Sequence, residues 1–179
     1  VMERCGASLA ASIGDATWPM EQRCAFVRHL LSACAALCSA GFVHTELRPR
    51  HVVRASDGWK LCGVDAILPI GAVARSPLAL GRHCPPEWIR PARDGAQPPA
   101  TEAAALWAFG CLAFEAVTGS ALFAGKGVES ALLSQIASAT DVVVSLRFAA
   151  APEALRPLLA RALRIDPKQR ATFAALVEL

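Results

Sequence analysis

Apolar residues recur at three- and four-residue intervals through Phe26, Val27, Leu30, Leu31, Cys34, Leu37 and Cys38, which predicts a long amphipathic helix. Thr17 is expected to cap its start, Pro19 to sit in its first turn, and Gly41 to take the left-handed position just past its end. A second run, residues 103–114, is apolar on every side until Glu115 interrupts it. Thr101 and Glu102 open this run and Gly119 stops it, so the pattern predicts a buried helix over Ala103–Thr118. Between the two, Val52-Val53-Arg54 and Trp59-Lys60-Leu61-Cys62 flank Ala55-Ser56-Asp57-Gly58, the pattern of a small β-hairpin. Shorter helices are expected within Ala7–Ile13, over the apolar positions of Val128–Ile136, and from Pro152-Glu153 through Leu155, Leu158, Leu159 and Leu163. Val1 to Gly6 looks like a strand end leaving through a glycine, and Pro91 to Pro99 like a surface loop.

This layout is mainly α, and 179 residues suit one domain. Hydrophobic residues at 54% exclude a disordered chain, and a net charge of +3, scattered along it, gives no ground for a nucleic-acid partner. Neither uncharged stretch, residues 30–43 or 103–114, reaches the roughly 20 residues that span a bilayer. No signal peptide is visible, and a membrane-embedded reading fails on span length. Seven cysteines in a helical pattern argue against a disulfide framework, so an intracellular, cytoplasmic setting is expected, with thiols acting as small core residues. His29, Cys34 and Cys38 lack the spacing of a zinc site and are expected to serve packing.

The polar stretch His44-Thr45-Glu46-Leu47-Arg48-Pro49-Arg50-His51 lies between the long helix and the hairpin and brings acid and base side chains together. Such loops on a rigid scaffold are where chemistry is found. It resembles the catalytic loop of the protein kinases, His-Arg-Asp-Leu-Lys-x-x-Asn followed by aliphatic residues. His44, Leu47 and Pro49 keep the frame, while Thr45 replaces the Arg, Glu46 the catalytic Asp, Arg48 the Lys and His51 the Asn.

Further stretches resemble the same family in the same order. Pro85-Pro86-Glu87-Trp88 is similar to its Ala-Pro-Glu. Ala105-Leu106-Trp107-Ala108-Phe109-Gly110 follows its Asp-x-Trp-Ser-x-Gly without the Asp, for which Glu102, one turn earlier, could partly substitute. Asp166-Pro167-Lys168-Gln169-Arg170-Ala171-Thr172 follows its Asp-Pro-x-x-Arg-x-Thr. The resemblance implies a protein-kinase carboxyl-terminal lobe over residues 1–179, a helical bundle with a small β-hairpin that starts at the hinge, with the amino-terminal lobe outside this chain. It implies nucleotide contacts at Met2, Glu3, Cys5 and Val53, and structural roles for His44, Glu87, Trp107, Gly110 and Arg170, with Glu87 and Arg170 as a buried ion pair. The family's metal-binding Asp should fall near Gly63, and Asp65 is displaced from it by roughly 6–7 Å if the backbone is extended. Asp65 and His51 are thus poor stand-ins for the metal ligands, and Glu46 and Arg48 are the remnants of the catalytic pair. Residues 66–84, the expected activation segment, hold Ser76 but no Thr or Tyr, and the loop arginine that would receive a phosphate is replaced by Thr45.

On the resemblance, the expected function is a pseudokinase. It would be a binding or regulatory module with a protein partner, with ATP as the nucleotide the full-length parent could hold and little or no Mg²⁺. The alternative is an active, atypical Ser/Thr protein kinase acting on a protein substrate with Glu46 as base.

Overall fold

Helix formation follows the expected periodicity, and the computed structural model describes residues 5–74, 77–125 and 128–179. The chain opens with a single turn, α1 (Leu9–Ser12), and then the long α2 (Met20–Ser39). Phe26, Val27, Leu30, Leu31 and Cys34 of α2 are buried, the stripe the spacing predicts. Gly41 takes its left-handed turn at φ +84°, and its N–H donates to the Cys38 carbonyl at 2.9 Å. At the other end the expected cap is wrong. The Asp15 carboxylate accepts both the Thr17 hydroxyl (2.6 Å) and the Thr17 N–H (2.8 Å), which leaves Pro19 at the cap position. Arg23, buried in the first turn of α2, had no signal in the sequence. Its guanidinium donates to the carbonyls of Asp15 and Trp18 and to Ala116 across the core.

Strand β1 (Phe42–His44) pairs antiparallel with β4 (Ile67–Pro69), and β2 (Val52–Ala55) with β3 (Gly58–Leu61). The hairpin turns on Ser56 and Asp57, with Ala55 opposite Gly58. Gly58 is needed twice over: its φ is +137°, and a Cβ there would meet the His29 ring at 2.9 Å. This contact holds His29 at the hairpin tip.

Beyond the hairpin, α3 spans Pro86–Arg93, α4 Glu102–Thr118, α5 Glu129–Ala137 and α6 Asp141–Arg147. The last two helices are α7 (Arg156–Ala162), entered through a 3₁₀ turn at Glu153–Leu155, and α8 (Phe173–Val177). Helix α3 carries Pro91 inside it, so the expected loop from Pro91 begins only at Asp94, the residue after the helix. Helix α6 was not foreseen. Thr140 caps it, accepting from the Val143 N–H at 3.4 Å, and Asp141 accepts the Ile165 N–H at 2.8 Å.

Helix α4 is the axis of the core. Every residue from Ala104 to Val117 is buried, and Gly119 closes it at φ +72°. Gly110 sits against α7, where a Cβ would lie 2.7 Å from Leu163 Cγ, so only glycine permits this approach. Cys34, Cys84 and Cys111 are buried free thiols within the core. Burial pushes the Cys84 thiol up to about 12 and the half-buried Cys38 up to about 11, so both stay protonated and apolar near neutrality. Among the described residues no single helix is long and apolar enough to cross a membrane.

Arg170 is the most completely satisfied of the buried charges described. The Arg170 side chain is 0% exposed, and all five of its N–H donors are used. Two go to the Glu87 carboxylate at 2.7 and 2.8 Å, and three to the carbonyls of Ala103, Arg164 and Ile165. The guanidinium also lies over the Trp107 ring, 5.0 Å from its centroid. The expected ion pair is therefore present, and Trp107 of α4 packs against it.

Candidate functional site

The loop after β1 is shaped by its own first residue. His44 is buried, donates from Nε2 to the Cys62 carbonyl (2.9 Å) and accepts the Glu46 N–H at Nδ1 (3.1 Å). Burial holds this imidazole below its ordinary pKa, so it is a neutral ring with a fixed tautomer. Thr45 ties the loop to the turn after β3, its N–H and hydroxyl both donating to the Ala66 carbonyl at 2.8 and 2.9 Å. Leu47 points into the core, fully buried. Apolar and polar residues thus alternate between anchoring the loop and lining its surface.

Glu46, Arg48 and His51 come together on that surface. The Glu46 carboxylate forms an ion pair with Arg48 and a longer one with Arg50 at 3.8 Å. His51 lies on the 3₁₀ turn Pro49–His51. Its Nδ1 donates to the Glu46 carbonyl at 2.7 Å and its Nε2 accepts from Arg50 Nε at 3.2 Å. Both ring nitrogens are engaged. The His44 and His51 rings stand 5.5 Å apart.

The remaining expected residues are placed less closely. Gly63 follows β3 in a left-handed conformation, φ +77°, and Val64–Ala66 then form a 3₁₀ turn. The backbone is not extended here, so the expected spacing of Asp65 from Gly63 along a strand does not apply. Asp65 is exposed on that turn. His51 packs against Gly63, where a Cβ would meet its ring at 3.3 Å. Among the described residues no group of three or more His, Cys, Asp or Glu side chains is arranged to hold a metal ion. Glu102 does not reach this loop. Its carboxylate accepts the Phe173 N–H at 2.7 Å and so fastens α8 to α4.

Met2 and Glu3 lie outside the described residues. Cys5 is half-buried at the start of a segment that runs beside the hairpin, with the Gly6 N–H donating to Arg54 and the Arg54 N–H to Ala7. Val53, half-buried, bridges to Ser8 in that segment. Cys5 and Val53 therefore flank one edge of β2.

A second polar group, missed in the sequence, faces the same side of the molecule. His83 and Glu115 are both buried and share a 2.8 Å bond, and Arg82 reaches Glu115 at 3.7 Å. Together with Arg48 and Arg50 they line a cleft of about 390 Å³. A lone acid in an apolar helix run was the available signal, since a buried carboxylate needs a partner. Which of the distant basic residues would supply it is a tertiary question.

No curated protein matches the chain. The order of loop, hairpin and the Glu87–Arg170 pair along the sequence is that of a known family, and its model, the protein kinase domain, matches residues 1–179. The chain belongs to the protein kinase domain family.

Proposed function

We propose that residues 1–179 are the hinge and carboxyl-terminal lobe of a kinase domain and work as a pseudokinase, a binding module with negligible phosphotransfer. One observation carries this. At the positions where the family has its base and its metal-binding Asn, the Glu46 carboxylate is paired with Arg48, and both ring nitrogens of His51 are taken, by the Glu46 main-chain carbonyl and by Arg50, instead of being held open for a reacting group. Phosphoryl transfer depends on metal ions neutralising charge between phosphates and on a residue orienting the nucleophile. Mg²⁺ demands a near-octahedral set of oxygens. The residues at hand do not fit it: His51 offers nitrogen already in use, Gly63 offers no side chain, and Asp65 is exposed on a separate turn.

ATP is the nucleotide this reading allows; on the family resemblance Met2 would be the gatekeeper, the Glu3 and Cys5 backbone would face the base and Val53 would form the floor beneath it. Arg48 keeps a positive charge beside the loop, though Glu46 now neutralises it. The domain would then present its helical surface to a protein partner.

The test uses the full-length parent. Phosphotransfer to protein substrates should be negligible, and any ATP-induced rise in Tm should be the same with Mg²⁺ as with EDTA. Robust Mg²⁺-dependent phosphorylation, abolished by Glu46→Gln, would overturn the reading and make Glu46 the working base of an active Ser/Thr kinase.

A further inference from the structure

Helix α6 carries its apolar residues on the outside. Val142 and Leu146, one turn apart, are 66% and 72% exposed, and Val143 is exposed beside them. β-Branched side chains lower helix propensity, so valines at exposed helix positions weaken α6 and leave apolar surface in water. Single residues of this kind are ordinary, but these stand together at the lip of a groove. The groove, about 590 Å³, runs between the end of α6 and the start of α7, and Leu146, Phe148, Ala149, Pro157 and Ala160 line it. Two exposed charges complete the lining, Glu153 on the 3₁₀ turn and Arg156 at the first position of α7. Arg156 donates from Nε to the Ala151 carbonyl at 3.1 Å and from Nη2 to the Ala149 carbonyl at 3.2 Å. Its guanidinium is therefore oriented, yet its charge meets no carboxylate among the described residues. Glu153 forms no ion pair among them either. One acid and one base thus stand three residues apart on one groove without meeting.

We propose that this face is where two copies of the chain meet, as an isologous dimer whose two-fold axis passes between Glu153 and Arg156. In such an interface residue i meets j and j meets i, so a surface that bears both signs of charge complements itself. Each Glu153 then faces the other copy's Arg156, and Val142 and Leu146 are covered by the opposing groove. A second copy satisfies both charges at once. A peptide of one charge sign, or an anionic membrane, would meet Glu153 or Arg156 with that residue's own charge. The inference goes beyond the binding-module reading and holds whether or not the chain transfers phosphate.

Sedimentation velocity on the full-length parent, without nucleotide or metal, over about 1–100 μM reads the association directly. A reversible monomer–dimer equilibrium is expected. Glu153→Arg alone and Arg156→Glu alone each set like charges against each other and should weaken association at least about tenfold. An equimolar mixture of the two variants should associate as the unaltered protein does, since every facing pair is again of opposite sign. That recovery separates a lost contact from a lost fold. Leu146→Ser should weaken the dimer with Tm unchanged, whereas Ile70→Ser, which removes exposed apolar surface after β4, should leave it intact. The assignment is overturned if the parent sediments as a monomer throughout, or if the two charge-reversed variants associate like the unaltered protein. It is equally overturned if their mixture fails to recover, or if Ile70→Ser weakens the dimer as much as Leu146→Ser. Capture of a monomeric parent by anionic phospholipid vesicles through Leu146 would also overturn it.

Discussion

Two of the sites built around arginine in this chain, at Arg170 and at Glu46, differ in how completely they are closed. Arg170 is fully enclosed, with five of five donors satisfied and a carboxylate gripping it from 83 residues away. Around Glu46 the pairing is local: Arg48 and Arg50 are two and four residues on, and Arg50 stands in solvent. The first arrangement ties three segments together. The second ties the loop to itself. A buried pair whose partner is removed leaves a stranded charge, whereas an exposed pair is readily replaced by water. The enclosed site is thus held by groups whose loss is severe, and the loop by pairs made within one short segment.

The sharpest way to break this contrast is at its strong end. Arg170→Ala should destabilise the chain by about 3–5 kcal/mol, measured by urea denaturation, because Glu87 would remain without its cation. A change within about 0.5 kcal/mol would show that the enclosed site matters no more than a surface pair. Next is the packing beside it. Gly110→Ala should cost about 1–3 kcal/mol, since the new Cβ would lie 2.7 Å from Leu163 Cγ.

At the loop end, restoring family residues tests what the altered chemistry is standing on. Gly63→Asp should destabilise by about 1 kcal/mol, because φ is +77° and the Cβ crowds His51. Combined with His51→Asn, which removes the crowding ring, the penalty should shrink, a coupling that a double-mutant cycle reads directly. Adding Glu46→Asp completes the restored set. Phosphotransfer by the full-length parent should rise only when all three are present, since such groups act as a unit.

Smaller effects separate anchoring from pairing. The His44 pKa is lowered by burial, so the folded chain binds fewer protons than the unfolded one below about pH 6.5. Stability should therefore be full above that value and fall as pH drops toward the folded pKa. Tm measured from pH 7 to 5 should fall less steeply in His44→Gln. The smallest change is expected of Glu46→Gln, about 1 kcal/mol, because the neutral amide oxygen still accepts from Arg48 and the Arg50 partner is exposed. A loss comparable to that of Arg170→Ala would erase the distinction between the two sites.

Much of the strong end was legible before any coordinates. Glu87 and Arg170 each sit in a short motif, and the α2 stripe and the hairpin follow from periodicity and turn residues. What escaped was decided by competition among neighbours. Thr17 is a good cap, but Asp15 two residues earlier takes its hydroxyl. Pro91 signals a break, yet α3 absorbs it and continues to Arg93. Helix α6 contains three consecutive valines that give no helical period, and it forms because Thr140 caps it and Asp141 reaches Ile165. Glu102 had two plausible uses, and the nearer N-terminus of α8 claimed it. At the loop, residue identity showed only which side chains stand at the family's positions. It could not announce that His51 and Glu46 would bond to each other, since that depends on the turn between them.

The separation of Glu87 from Arg170 also sets a clock during synthesis. At about 5–20 residues per second, roughly ten seconds pass between the two leaving the ribosome. Helix α4 emerges within that interval, uncharged from Ala103 to Phe114, while α7 and α8, which cover it, are still unmade. The nascent chain must therefore hold an oily rod and an unpaired carboxylate until α7, α8 and Arg170 arrive. A chaperone acting on this protein would find its work concentrated in that window.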